Sequence, residues 1–392
     1  MKVIINGAGI SGPTLAWWLS RSGHEVTLVE ESHELRRGGY IIDFWGTGYD
    51  IAERMGVLPE ILERGYQVKE VRFVNRRNHK VGGFSVDIFH RLTNNRFTSV
   101  RRSDISAVIF DSFGDNVETI FGDSVRAIDE QGDKVQVSFD HAPSRDVDLV
   151  IGADGLHSRV RQIAFAPEAD LDLPLGYHVA AFEIDEYTPR DELVFVTYGL
   201  PGRQISRFAM REDKTLILCV FRDEYMGAQV SASHLDQKNT LRHIFSGLGW
   251  ECDRILEAMS EAHDVYFDSV SQIRMDHWTR GRTALVGDAA ACVSLLAGEG
   301  TGLAMTEAYV LAAELARSKS VAEAFAAYEK RMMPFVAAKQ SSAAKFASSF
   351  TPKTAVGVTF RNLVTRLLGI HAVAEWFIAR DLRDDIELPD VP

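Results

Sequence analysis

Cysteine is scarce in this chain: three residues, Cys219, Cys252 and Cys292, odd in number and far apart. A disulfide framework needs even numbers at short spacings, and a structural zinc site needs closely spaced Cys or His pairs, so neither is suggested. A reducing cytoplasm is the expected compartment. Pro-, Gly- or Ser-rich runs are missing too, which leaves no flexible linker between independent domains. Long apolar runs are also lacking. The opening MKVIINGAGISG is interrupted by Asn6 and glycines before a signal-peptide core can form, so no export is expected. The most apolar late stretch, 355–379, carries Arg361, Arg366, His371 and Glu375, too many charges for a bilayer span. An amphipathic helix packed on the protein is expected there.

Positive charge is not in excess: 43 Lys and Arg stand against 55 Asp and Glu, a net charge of -12. Phosphate-backbone recognition needs clustered cations, so a nucleic-acid partner is not expected. What is present is ordinary globular composition, 46% hydrophobic and 25% charged over 392 residues. That is enough for a sizeable core and for two structural units interleaved in sequence.

The first thirty residues alternate strand, glycine turn, helix and strand: KVIING, AGISG, PTLAWWLSRSGH, EVTLVE. This is a βαβ unit. The segment DVDLVIGADG returns to a buried, parallel-type strand. Between these and the C-terminal third, YHVAAFEID, ELVFVTYGL, QISRFAMRE and TLILCVFRDE alternate with period two and are joined by LPGR and REDK turns, which predicts an inserted antiparallel sheet. The stretch NTLRHIFSGLGWECDRILEAM is predicted helical with breaks at Gly247 and Gly249. From Thr301 on, the chain is mostly helical, with a kink expected at Pro334.

Three motifs carry chemistry. Gly7, Gly9 and Gly12 form G-x-G-x-x-G between a strand and a helix, so the backbone at Ile10 and Ser11 can approach a diphosphate at the helix N-terminus. Glu30 ends the next strand at about the 20-residue spacing of a carboxylate that takes a ribose diol. In DLVIGADGLHSRVR, Asp154 either contacts a cofactor or caps the turn. In RTALVGDAAACVSLLAGEGTG, Gly287 and Asp288 end a strand, and Gly298, Gly300, Thr301 and Gly302 lead into a long helix whose N–H groups can face a polar ring edge.

In this order and at these separations the motifs resemble the aromatic-hydroxylase class (group A) of FAD-dependent monooxygenases over nearly the whole chain. The chain is most similar to small members such as the tetracycline-inactivating monooxygenases. The resemblance implies an α/β fold: a Rossmann-like FAD domain (1–70, 99–172 and 272–350), an inserted antiparallel-sheet substrate domain (71–98 and 173–271) and a C-terminal bridging helix and tail (351–392). It implies non-covalent FAD, NADPH or NADH as electron donor, and hydroxylation of an aromatic or polyketide-like small molecule by molecular oxygen through a flavin C4a-hydroperoxide. It makes Glu30 an adenosine-ribose ligand, Asp288 a ribityl or pyrophosphate-side ligand, and the backbone of 298–302 the flavin-ring contact. RRGGYIIDF then places Arg36, with Arg37 beside it, near the path of the nicotinamide cofactor and Asp43 near the flavin, while SVRRSDI makes Arg102 an FAD contact.

Two positions depart from the family pattern: Ala291 and Ser294 stand where members commonly have His and Pro. Cys292 in the same loop reads as a small buried thiol. No Ser/His/Asp, Cys/His or metal-ligand arrangement is evident. The catalytic centre is therefore the flavin, with His178, Tyr198, Arg207, Tyr225 and His234 as candidate substrate-side groups and Phe182, Phe195, Phe208 and Phe221 as a candidate aromatic lining. The alternative function is a non-hydroxylating flavoprotein, either a reductase, a halogenase or a flavin-binding sensor. The halogenase reading is weakened because Trp17, Trp18, Trp45, Trp250, Trp278 and Trp376 form no W-x-W-x-I-P segment.

Overall fold

A computed structural model describes the chain except residues 36–39, 227–233, 263, 295–297, 369–383 and 392, and except the side chains of 169, 234, 235 and 345–350. Its first sheet is built on Lys2–Asn6, whose apolar run is buried because parallel strands flank it on both edges. Ile5 lies opposite Leu28 of Glu25–Glu30 on one side and Ile151 of Leu149–Gly152 on the other. The order across this six-stranded sheet is Thr279–Arg280, Thr283–Leu285, Leu149–Gly152, Lys2–Asn6, Glu25–Glu30 and Glu118–Phe121. The chain leaves the central strand in one direction and returns on its other side much later. The crevice at the ends of Lys2–Asn6 and Leu149–Gly152 is thus a topological switch point, where α/β sheets bind ligands.

The second sheet runs Tyr266–Ile273, Asp172–Asp185, Lys214–Arg222, Arg203–Ala209, Val194–Leu200, Glu70–Val74 and Lys80–Ser85. It is antiparallel except where Val194–Leu200 pairs in parallel with Glu70–Val74. Period-two alternation gives it two faces. Phe182, Tyr198, Ile217 and Phe221 pack under the helices His234–Phe245 and Cys252–Ala258. Ala181, Phe208 and Leu216, with Phe195 packed beside them, face Tyr66, Phe97 and the two-stranded ribbon of Ile41–Trp45 and Phe97–Arg101, which belongs to the nucleotide-binding side.

Three helices complete the frame. Gly300–Arg317 crosses Gly46–Arg54 closely enough that a Cβ at Gly48 would lie 2.6 Å from Gly302 Cα. Val321–Phe350, capped by the Ser320 hydroxyl, carries Pro334 in its interior. Ala355–Leu367 docks on Lys80–Ser85, where Thr365 Oγ1 accepts from Gly83 N at 3.1 Å. Its Val356, Phe360, Leu363 and Leu367 point outward. No helix among the described residues is long and apolar enough to cross a membrane.

Candidate cofactor and active site

Each glycine of the first loop has a separate physical reason. Gly7 sits at φ +112°, and a Cβ there would lie 2.4 Å from Ala153 O, so it permits the two strand ends to approach. A Cβ on Gly12 would lie 1.9 Å from Gly7 O, which fixes how the helix Ser11–Arg21 packs against the turn. Gly9 has only Arg102 Nη2 near it, at 3.7 Å, and so leaves its face open to a ligand. The first N–H groups of that helix, around Ile10, Ser11 and Gly12, have no intrahelical acceptor. Ser106 holds the loop from behind, donating to Gly9 O at 2.6 Å. Glu30 accepts from Ala8 N at 2.8 Å and from Ser32 N at 3.1 Å, which sets its carboxylate beside the loop.

Asp154 occupies the neighbouring strand end, and its carboxylate forms the turn. It accepts from Ser158 Oγ, Arg159 N, Val160 N and Asn6 Nδ2. These bonds cap the turn at the end of Leu149–Gly152. Arg161, two residues past Arg159, is wholly buried and donates to Leu156 O and Ala289 O, so it ties this turn to the one carrying Asp288. The sequence showed both arginines without showing that one of them is the buried strut between the two turns.

Asp288 begins the short helix Asp288–Ala291, and a Cβ on Gly300 would lie 4.0 Å from its Oδ1. Burial raises its pKa, opposed by Arg102, the Cys292 thiol and Arg161. Gly287, at φ +65°, is held from within the core: its N–H donates to Glu307 Oε2 at 2.6 Å. Glu307 was not singled out in the sequence, although it falls on the apolar stripe of Gly300–Arg317, where a carboxyl is out of pattern.

Arg102, Asp43 and Tyr266 are solvent-exposed by area, yet desolvation is the first influence on the titration of each. They stand in a recess of the surface, ringed by protein but open to solvent. Asp43 is raised by that burial while accepting from Ser99 Oγ at 2.6 Å. Arg102 feels Tyr40, Asp288 and Tyr266 at a distance and forms no salt bridge or hydrogen bond through its guanidinium with a described residue. A deep cation of this kind, beside an open glycine and free helix N–H groups, suits a diphosphate. A small open pocket adjoins, lined by Asp43, Trp45, Gly298, Gly302, Leu303 and Asp384. The Asp384 carboxylate accepts from Thr47 N at 2.8 Å, and Lys339 bridges it to Glu299 at 2.9 and 3.2 Å.

The departure at Ala291 and Ser294 has a structural counterpart. Gln272 Nε2 donates to Val293 O and Gln340 O, both at 2.8 Å, and Gln340 Nε2 donates to Ile273 O at 2.8 Å and Cys292 O at 3.0 Å. Arg274 fixes the sense of the first amide by donating to Gln272 Oε1 at 2.8 Å. Two buried amides thus clamp the loop that carries Ala291 and Ser294.

Other expectations are divided by the fold. Arg36 and Arg37 lie outside the described residues, as does the side chain of His234. The four phenylalanines do not make one lining: Phe195 and Phe208 face the cleft side, while Phe182 and Phe221 lie under the helices on the opposite face. Tyr198 donates to Leu248 O on that opposite face, and buried Arg207 is held there by Asp191 and Glu251. Tyr225 donates to Pro201 O, and His178 lies 3.0 Å from Asp223 Oδ1 and is lowered by burial. The four stand on four strands, and register decides the split: Phe208 lies opposite Leu216 on one face, Phe182 opposite Ile217 on the other.

The family model described as "FAD binding domain" matches residues 1–341. A flavin-dependent monooxygenase from an unknown prokaryotic organism is 32% identical over 90% of this chain and 90% of its own length. An uncharacterised Mycobacterium tuberculosis protein is 34% identical over 86% of this chain and 91% of its own. Among solved structures, the tetracycline destructase Tet(51) is 31% identical, with a TM-score of 0.83 over 99% of both chains. Klebsiella pneumoniae HpxO, complexed with FAD and uric acid, shares the fold at 23% identity, with a TM-score of 0.80 over 97% of this chain and 96% of its own.

Proposed function

This chain belongs to the FAD-binding-domain family and is an FAD-dependent monooxygenase, and from that premise we infer that it draws electrons from NADH or NADPH and hydroxylates an aromatic or polyketide-like small molecule. The observation that carries the reading is Arg102, a deep guanidinium with no carboxylate partner among the described residues, set against the open face of Gly9. In this reading the N–H groups at Ile10, Ser11 and Gly12 take the FAD diphosphate together with Arg102, and Glu30 takes the adenosine ribose. Asp288 takes the ribityl chain, and the backbone of Gly298, Gly300, Thr301 and Gly302 meets the ring. Binding is non-covalent. Arg36 lies on the nicotinamide path, and residues 1–70, 99–172 and 272–350 form the FAD domain around the inserted one.

Bound flavin supplies the redox chemistry, taking hydride from the nicotinamide so that one atom of dioxygen goes to the substrate and the other leaves as water. The protein's part is electrostatic and steric. The N-terminus of Gly300–Arg317 offers oriented N–H groups to negative charge on the ring. Phe208 and Leu216, buried against Tyr66 and Phe97, fix the second sheet on the ribbon of Ile41–Trp45 and Phe97–Arg101. The name tetracycline destructase on a neighbour of 31% identity supports a polycyclic substrate class.

The test is oxygen-dependent NAD(P)H oxidation across a panel of phenolic and polycyclic compounds, with product masses measured. A compound that accelerates oxidation and gains one oxygen atom is the expected outcome. NAD(P)H turnover with no oxygenated product from the whole panel would favour the reductase or sensor alternative.

A further inference from the structure

Strand Tyr266–Ile273 belongs to the second sheet, yet the ring of its first residue packs beside that of Tyr40, whose O accepts from Arg102 N at 3.3 Å. The Tyr266 ring is 38% exposed although enclosed by protein, and the charges it senses are those of Tyr40, Asp268, Arg102 and Asp288. Its centroid lies 5.9 Å from that of Tyr40, with the planes inclined by 49°. At that inclination a flat third ring lying parallel to one of them meets the other edge-on. The hydroxyl of Tyr266 is aimed at Asp268 Oδ2 at 3.4 Å, and the same oxygen is 3.4 Å from His157 Nε2. His157 follows the Asp154 turn and also pairs with Glu168 at 2.8 Å. The tyrosine is therefore oriented from the nucleotide side through a two-step bridge. A tyrosine that merely filled the seam between two sheets would bury its ring. This one stays partly exposed beside Tyr40, which is hydrogen-bonded to the backbone of Arg102, the cation that stands at Gly9.

We propose that Tyr266 and Tyr40 form an aromatic platform for a flat heteroaromatic ring of a bound dinucleotide, making Tyr266 a positioning residue that the second sheet contributes to the cofactor cleft. The ring comes from one of two sources of the same chemistry, the isoalloxazine of FAD or the nicotinamide of the donor. The inference rests on the FAD and NAD(P)H reading above.

The experiment compares Tyr266→Phe, Tyr266→Leu and Tyr266→Ala with the unaltered protein. One arm titrates apoprotein with FAD by fluorescence quenching. The other titrates the FAD-loaded protein with NADP⁺ and NAD⁺ by flavin difference spectroscopy, beside anaerobic reduction by NADPH and NADH. Phe keeps the ring and should match the unaltered protein in both arms, while Leu and Ala should weaken one arm by roughly three- to tenfold. Loss in the FAD arm assigns the platform to the isoalloxazine; loss confined to the donor arm assigns it to the nicotinamide. Melting temperatures within a few degrees of the unaltered protein exclude misfolding. If Leu and Ala behave like Phe in both arms, the platform is wrong. If the unaltered protein binds no FAD, the underlying reading fails instead.

Discussion

Glu307 makes a prediction whose sign is fixed by burial. It is 1% exposed, accepts from Gly287 N at 2.6 Å and lies 3.4 Å from the Tyr328 hydroxyl, whose shorter contact, 3.0 Å, is to Leu285 O. Burial, with Asp288 adding to it, pushes its pKa well above the ordinary 4.5. The folded protein therefore keeps a proton that the unfolded chain releases. Between the unfolded and folded pKa values, stability must fall as pH rises, by up to about 1.4 kcal/mol per pH unit. Glutamine cannot titrate, and its amide oxygen can accept from Gly287 N in the same place. Glu307→Gln should thus match the unaltered apoprotein near pH 5 and become progressively more stable than it toward pH 8. Glu307→Ala should be destabilised throughout, by about 1–3 kcal/mol for the orphaned N–H and about 2 kcal/mol more for the lost packing. Denaturant midpoints of the three apoproteins at several pH values measure this. Parallel pH profiles for the glutamine variant and the unaltered protein would mean that Glu307 is ionised in the fold and that the reasoning is wrong.

Asp288→Ala should lower FAD affinity about tenfold to a hundredfold through loss of a charge-assisted hydrogen bond, measured by fluorescence titration; an unchanged Kd would remove its role. Arg102→Met should melt at the same or a slightly lower temperature as apoprotein, because Tyr40, Asp288 and Tyr266 favour the cation against its desolvation, and should lose most of the FAD-induced rise in Tm. Gln340→Met leaves Ile273 O without its donor, and should raise the fraction of NAD(P)H oxidation that yields hydrogen peroxide; coupling equal to the unaltered protein would show that the clamp does not set the loop. His157 is raised to about 9 by Asp268 and Glu168, so its bridge is intact below about 6.5 and is lost as pH rises through about 9. Limited proteolysis around residues 264–268 should accelerate over that window in the unaltered protein but not in His157→Gln.

What the sequence by itself determined is whatever depends on chain neighbours. Gly7, Gly9 and Gly12 were legible because backbone sterics act within one turn, and Glu30 because strand and helix lengths fix its distance from them. The strands of the second sheet were legible from their alternation, and the pair Gly287–Asp288 from its place between a strand and a helix. Alternation also said that Phe182 and Phe195 each face one side, but not which side meets the cofactor. That follows from strand order and from which face the helix His234–Phe245 covers. The Gln272–Gln340 clamp joins groups 68 positions apart, and Arg161 reaches Ala289 across 128. Tyr266, on the second sheet, packs against Tyr40, 226 positions away in the chain. Local conformation is set by sterics that each residue carries with it, whereas burial, pKa and partnership are set by which distant segments exclude water around a group. Only the folded packing decides that.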